Sequence, residues 1–206
     1  MRFWHDLLET LTRLAPGRCL AQTASPDARQ AGHCRQDRLE PGECGFEHYS
    51  GEKGGDETGP SPTDRGKCGT KDHILVDRVG HPLAVMISAA NVNEGTKLTR
   101  LIDAVVPIRQ EDGHRRRRPA KLHADKGYDS ASNRAALEER GITPRIARRG
   151  IDSRQKLGRY RWVVERTISW IHQFRRLRIR DERRGKLHRA FLLLAAALIN
   201  HRMLAT

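Results

Sequence analysis

Two carboxylates in this chain stand where acids could act on a polyanion. Glu165 lies inside Tyr160–Arg180, YRWVVERTISWIHQFRRLRIR, and Asp125 closes the run AKLHAD, followed by Lys126-Gly127-Tyr128. The spacing predicts that Tyr160–Arg180 is one helix. Val163, Trp170, Phe174 and Leu177 fall seven, four and three apart and share one face. Arg161, Glu165, His172 and Arg176 fall four, seven and four apart and share another. That second face is basic with one acid in it, and an acid among cations is stabilised in its charged form. Such an acid is either half of a surface pair, Arg161 with Glu165 at i,i+4, or a metal ligand beside a polyanion. Mg2+ prefers oxygen ligands and takes one or two carboxylates, with water and phosphate completing its shell. Two such ions can activate the attacking oxygen and stabilise the leaving oxygen of a phosphodiester.

The elements that must carry these groups begin at His73. HILVDRVGHPLAVMI reads as two strands around a turn near Asp77–His81, and Asp77 is a turn residue there, not a catalytic acid. A helix follows from Asn93, its N-cap, with Leu98, Leu101, Ile102 and Val105 on the buried side. Arg115–Arg118 is a four-arginine run in a loop, either solvated or in contact with phosphate. AKLHAD is a short strand ending on Asp125, Ser130–Arg140 is a helix closed by Gly141, and ITPRIA is the next strand. ARRGIDSRQKLG is a basic loop, and Gly185–Leu204 is a last helix with Phe191, Leu194, Leu198 and Ile199 as core. Strands of a hairpin followed by strand–helix alternation imply an α/β fold, a mixed sheet flanked by helices. Ligand sites of such sheets gather outside the carboxyl ends of strands, where Asp125 is.

The front of the chain is different. Residues 2–14 have the stripe Phe3, Leu7, Leu11 and Leu14 of a short helix, but residues 17–45 lose all period and residues 51–70 read as a loop. The expected division is therefore 1–50, a short helix plus an irregular, poorly ordered segment, and 51–206, the folded domain.

Composition narrows the partners. Across 206 residues there are 39 Lys+Arg against 25 Asp+Glu, a formal charge of +14, which draws the chain to a phosphate backbone or an anionic surface. The longest apolar run, Ala190–Ile199, is too short to span a bilayer, and the N-terminus lacks the apolar run of a signal peptide. Cys19, Cys34, Cys44 and Cys68 form no CxxC pair and read as free thiols of a cytoplasmic protein.

These residues also carry a family resemblance. ADKGYDS, with Asp125, looks like the second-acid segment of bacterial insertion-sequence DDE transposases. Arg161-Trp-Val-Val-Glu165-Arg-Thr-x-x-Trp170, followed by Phe174-Arg-Arg-Leu177-Arg, resembles their third-acid segment. Of the group's Y-x2-R-x3-E-x6-K signature, Arg161 and Glu165 match, while Gly158 and His172 stand at the Tyr and Lys positions. TGPSPTDRGKCGTKDHILVDRVGHPLAV resembles the group's loop and hairpin, so the likeness runs from about Gly54 to the end. The resemblance implies an RNase H-like fold and cleavage and transfer of DNA strands at element ends, with Mg2+ (or Mn2+) as cofactor. It implies Asp125 and Glu165 as metal ligands and Arg161, His172 and Arg176 as DNA contacts. It also implies a homo-oligomer acting on element ends and target DNA, in the bacterial cytoplasm on the nucleoid. Trp162 and Trp170 read as core in preference to base-stacking groups.

The first acid of the family is missing from its place. Counting back from Gly54-Gly55 puts it near Gly45, and the nearest acids are Asp37, Glu43 and Glu47. Together with the unpatterned front, this predicts that residues roughly 15–50 are out of register with an ancestral gene, through truncation, frameshift or decay. Two readings follow: a transposase whose activity is compromised, or an inactive remnant that only binds DNA. A basic RNA-binding protein is a third, with little behind it, since aromatics make up 5% and no RRM or KH motif is present.

Overall fold

The computed structural model describes residues 42–50, 54–62, 65–109, 113–148 and 154–205, with side chains described from 44–45 in the first segment and from 162 onward in the last. The predicted front helix and the unpatterned run up to residue 41 lie outside them.

Among the described residues eight strands and four α-helices follow in order: β1 Gly42–Ser50, β2 Gly59–Pro60, β3 Cys68–Val76, β4 Pro82–Ala89, α1 Leu98–Asp103, β5 Ile108–Arg109, β6 Arg115–Arg116, β7 Lys121–Ala124, α2 Ala131–Glu139, β8 Thr143–Ile146, α3 Arg154–His172 and α4 Gly185–Ala205. The main sheet is mixed. β3 pairs antiparallel with β1, β2 and β4, while β1, β7 and β8 run parallel. This is the α/β, RNase H-like arrangement that the sequence predicts.

β3 is apolar at consecutive positions because it is covered on both faces. Leu75 joins Cys44, Leu122, Ala124, Leu137 and the α1 residues in one core cluster. Ile74 and Val76, pointing the other way, join Val163, Val164, Ile168, Leu192 and Ile199 in a second. The sheet thus lies between a layer made by α1 and α2 and a layer made by α3 and α4.

Several boundaries differ from expectation, among them the start of β3, which at Cys68 lies inside the predicted 51–70 loop. Gly42–Ser50 is not irregular but a strand, with eight residues in register with β3. The long basic helix starts at Arg154, inside the predicted loop, and ends at His172, not Arg180. Arg175–Leu177 is a separate 3-10 turn, entered through Phe174 in extended backbone (φ -78, ψ 112). The arginine run is partly ordered, since Arg115–Arg116 pair with Ile108–Arg109 in a two-stranded ribbon. The hairpin at Asp77, the N-cap at Asn93 and the bounds of the helix at 185 stand as predicted, but of that helix's predicted core only Phe191 and Ile199 pack inward, Leu194 and Leu198 being exposed.

Candidate active site

Asp125 is positioned by what surrounds it. β7 ends at Ala124, and Asp125 stays extended (φ -70, ψ 164) to cap the 3-10 turn Lys126–Tyr128, its carboxylate accepting from Lys126 N at 2.7 Å. The turn is nailed down by Tyr128, which is fully buried. Its backbone N–H donates to Asp125 O at 3.0 Å, and Asn133 Nδ2 donates to its carbonyl at 2.9 Å. Its hydroxyl is 3.0 Å from His73 Nδ1, and His73 Nε2 is 2.8 Å from Ser88 Oγ. Burial pushes His73 down to about 4, so it is neutral within this network. Burial likewise pushes the Cys44 thiol up to about 12, against a hydrogen bond from Tyr128, and raises the Tyr128 phenol. One polar network therefore ties the Asp125 turn to β1, β3, β4 and α2.

Glu165 is presented by α3. Val163, Val164, Ile168 and Ile171 are buried against the sheet, and Glu165, next to Val164, is exposed. The helix is clamped to the β3–β4 turn. Thr167 Oγ1 donates to Gly80 O at 2.9 Å, and the Arg166 guanidinium donates to Val79 O. The turn is built for this approach. Asp77 Oδ1 accepts from Val79, Gly80 and His81 N at 2.9, 2.8 and 2.8 Å, confirming it as a turn residue. Gly80 sits at φ +96, and a β-carbon on it would lie 2.9 Å from Arg166 Nη2 and 3.0 Å from Thr167 Oγ1.

β1 runs between the strand that ends at Asp125 and the helix that carries Glu165. Its parallel register with β7 runs Gly42–Leu122, Glu43–His123 and Cys44–Ala124, so the next step sets Gly45 level with Asp125. A β-carbon on Gly45 would lie 2.8 Å from Val164 Cγ2, in the residue before Glu165. Gly45 is thus flanked by the Asp125 strand on one side and by the Glu165 helix over it. It is also the position that counting assigns to the missing first acid. Among the described residues no three His, Cys, Asp or Glu side chains are grouped to hold a metal ion. Asp125 and Glu165 are oxygen donors of the type that a divalent cation accepts, and Gly45, level with Asp125, supplies none.

The other predicted residues fall apart from one another. Arg161 is in α3, with its side chain outside the described residues, and His172 is the half-buried last residue of that helix. Arg176 lies beyond the helix break. Its Nη2 donates to Glu182 Oε1 at 2.6 Å and its guanidinium lies 5.2 Å over Phe191, so it faces α4 instead of extending the Glu165 face. Trp170 packs against the second core cluster as expected, but Trp162 is 51% exposed, with Arg166 stacked between the two indoles at 4.6 and 4.7 Å. The Tyr128–His73 network escaped sequence reading. Its one signal is a histidine opening the apolar run HILV. No helix among the described residues is long and apolar enough to cross a membrane.

Comparison with known proteins agrees with this geometry. Residues 40–200 match the transposase DDE domain family. A Burkholderia cepacia protein named for the transposase of insertion sequence element IS402 is 49% identical over 199 residues, 97% of this chain and 94% of that protein. A transposase for insertion sequence element IS1106 from Neisseria meningitidis serogroup B is 31% identical over 117 residues, 52% of this chain and 37% of the relative. With the sheet, the acid at the β7 end and the acid-bearing helix in place, and with the family match running from β1 through α4, this chain belongs to the transposase DDE domain family.

Proposed function

We propose that this transposase works on the ends of an insertion sequence, with Asp125 and Glu165 sharing one divalent cation, Mg2+ or Mn2+, at the carboxyl end of β7, in the middle of the sheet. The observation that carries the reading is Gly45, level with Asp125 on one side and against Val164 on the other. When bound, the cation supplies Lewis-acid stabilisation of charge on a DNA phosphate. The chain's own part is to hold two carboxylates on rigid elements and to present them in cationic surroundings. The Tyr128 network fixes Asp125, and the Thr167–Gly80 clamp fixes the helix of Glu165. Arg161 and His172, on the same helix, are the DNA contacts nearest Glu165, and Arg176 contacts DNA only by leaving Glu182. The protein acts as a homo-oligomer on DNA in the bacterial cytoplasm.

A nicking assay on the element's own ends, with Mg2+ or Mn2+, tests this reading. Cleavage that Asp125→Asn or Glu165→Gln abolishes while DNA binding persists supports it, and cleavage surviving either change refutes the assignment. A second reading, a remnant that binds DNA without cutting it, is favoured by the same glycine, because a site short of one carboxylate loses metal affinity and rate. Binding without nicking at any metal concentration would select it.

A further inference from the structure

The four-arginine run takes a form that the catalytic site does not use. Arg115 and Arg116 pair with Arg109 and Ile108 as a two-stranded antiparallel ribbon between α1 and β7. In that register Arg109 stands directly opposite Arg115, and both are exposed. Like charges directly opposite one another on neighbouring strands destabilise a ribbon. Residues 108–121 hold six cations, Arg109, Arg115, Arg116, Arg117, Arg118 and Lys121, against two acids, Glu111 and Asp112.

Three of the arginines are steered by carbonyl groups, which orient a guanidinium without cancelling its charge. Arg117 Nε donates to Val105 O at 2.8 Å, Arg116 Nε to Arg118 O at 3.2 Å, and Arg118 Nη1 to Arg140 O at 3.5 Å. The acid beneath them, Asp103, is already bound by Arg140, with Oδ2 3.1 Å from Nη2. The Arg140 hydrogen bond, with Arg118 and Arg117 adding to the field, holds that carboxyl below its usual range. The ribbon is therefore a pre-oriented arm with six cations against two acids over residues 108–121.

Its position separates it from the cut strand. The ribbon leads into the start of β7, where Thr143 N donates to Ala120 O at 2.8 Å, and Asp125 is at the other end of that strand. Four strand residues set the two about 13 Å apart. We propose that the β5–β6 ribbon binds the phosphate backbone of duplex DNA outside the catalytic site, through Arg109, Arg115 and Arg118. This rests on the transposase reading for the kind of partner and not on the metal site.

The test is the salt dependence of DNA binding by the full chain, with no divalent metal present, on two unrelated duplexes of about 40 base pairs. The slope of log affinity against log salt follows the number of phosphates neutralised. Arg109→Gln with Arg115→Gln should weaken binding equally on both duplexes and make the slope shallower by about 2, roughly one for each phosphate no longer neutralised. Arg109→Lys with Arg115→Lys should keep the slope. Arg118→Gln, which leaves the ribbon pairing intact, should make it shallower by about 1. An unchanged slope in the glutamine variants overturns the proposal. Weakening confined to one duplex overturns it as well, because it would mean that bases are read. Because the slope is read with no divalent metal present, it does not depend on whether Asp125 and Glu165 hold a cation, so the arm and the catalytic assignment fail separately.

Discussion

Gly45 and Val164 meet so closely that a β-carbon on residue 45 would lie 2.8 Å from Val164 Cγ2. At that point β1 is packed shut against α3. Gly45→Asp alone should destabilise the fold by about 1–3 kcal/mol through overpacking. Gly45→Asp with Val164→Ala should recover most of that loss and bind Mn2+ more tightly than the unaltered chain. Thermal melts and Mn2+ titration read both effects, and a double variant no better at binding Mn2+ would remove Gly45 from the site.

The Gly80 turn has a comparable role for Glu165. Gly80 combines φ +96 with close approach to Arg166 and Thr167, so Gly80→Ala is strained in its backbone and in its contacts. The expected cost is about 1–3 kcal/mol. The loss should concentrate in the α3 clamp, and faster hydrogen exchange of α3 than of β7 amides would show it.

His73 gives stability a pH dependence of fixed sign. Its folded value is about 4 against an ordinary 6.5, so the unfolded chain takes up a proton that the folded chain refuses. The contribution is complete above about 6.5 and is lost as pH falls from 6.5 toward 4, by roughly 3 kcal/mol at most. His73→Gln, which cannot titrate, should flatten that part of the curve in denaturant melts at pH 7, 5.5 and 4. An equal slope in both proteins would contradict the assignment.

Arg180 is a buried guanidinium, 2% exposed, that gathers Glu182 O, Glu57 O, Asp56 O and Thr70 Oγ1 around it. Lys cannot reproduce that fork, so Arg180→Lys should cost about 2–4 kcal/mol. Chemical denaturation measures it.

Much of this arrangement is legible in the sequence because it is local. AKLHAD ends in an acid followed by turn residues, and Asp77-x-x-Gly80 is turn chemistry, so both are read correctly. The helix of Glu165 is legible from its period, but its end is not. Leu177 still packs into the same core cluster after the helix has stopped, so the apolar spacing continues through the break. β1 is illegible for the opposite reason. GECGFEHYS has no alternation, and what makes it a strand is its pairing with β3 and β7, which no local pattern encodes. Counting along the chain reached Gly45, but not its packing against Val164, which only the paired strand and the overlying helix create.

Whether Asp125 and Glu165 share a divalent cation is read from Mn2+ binding to the full chain, by titration or by the spectrum of the bound ion. Asp125→Asn and Glu165→Gln should each weaken Mn2+ binding by roughly tenfold or more while leaving DNA affinity in metal-free buffer unchanged. Mn2+ binding at unaltered affinity in either variant would contradict the shared site.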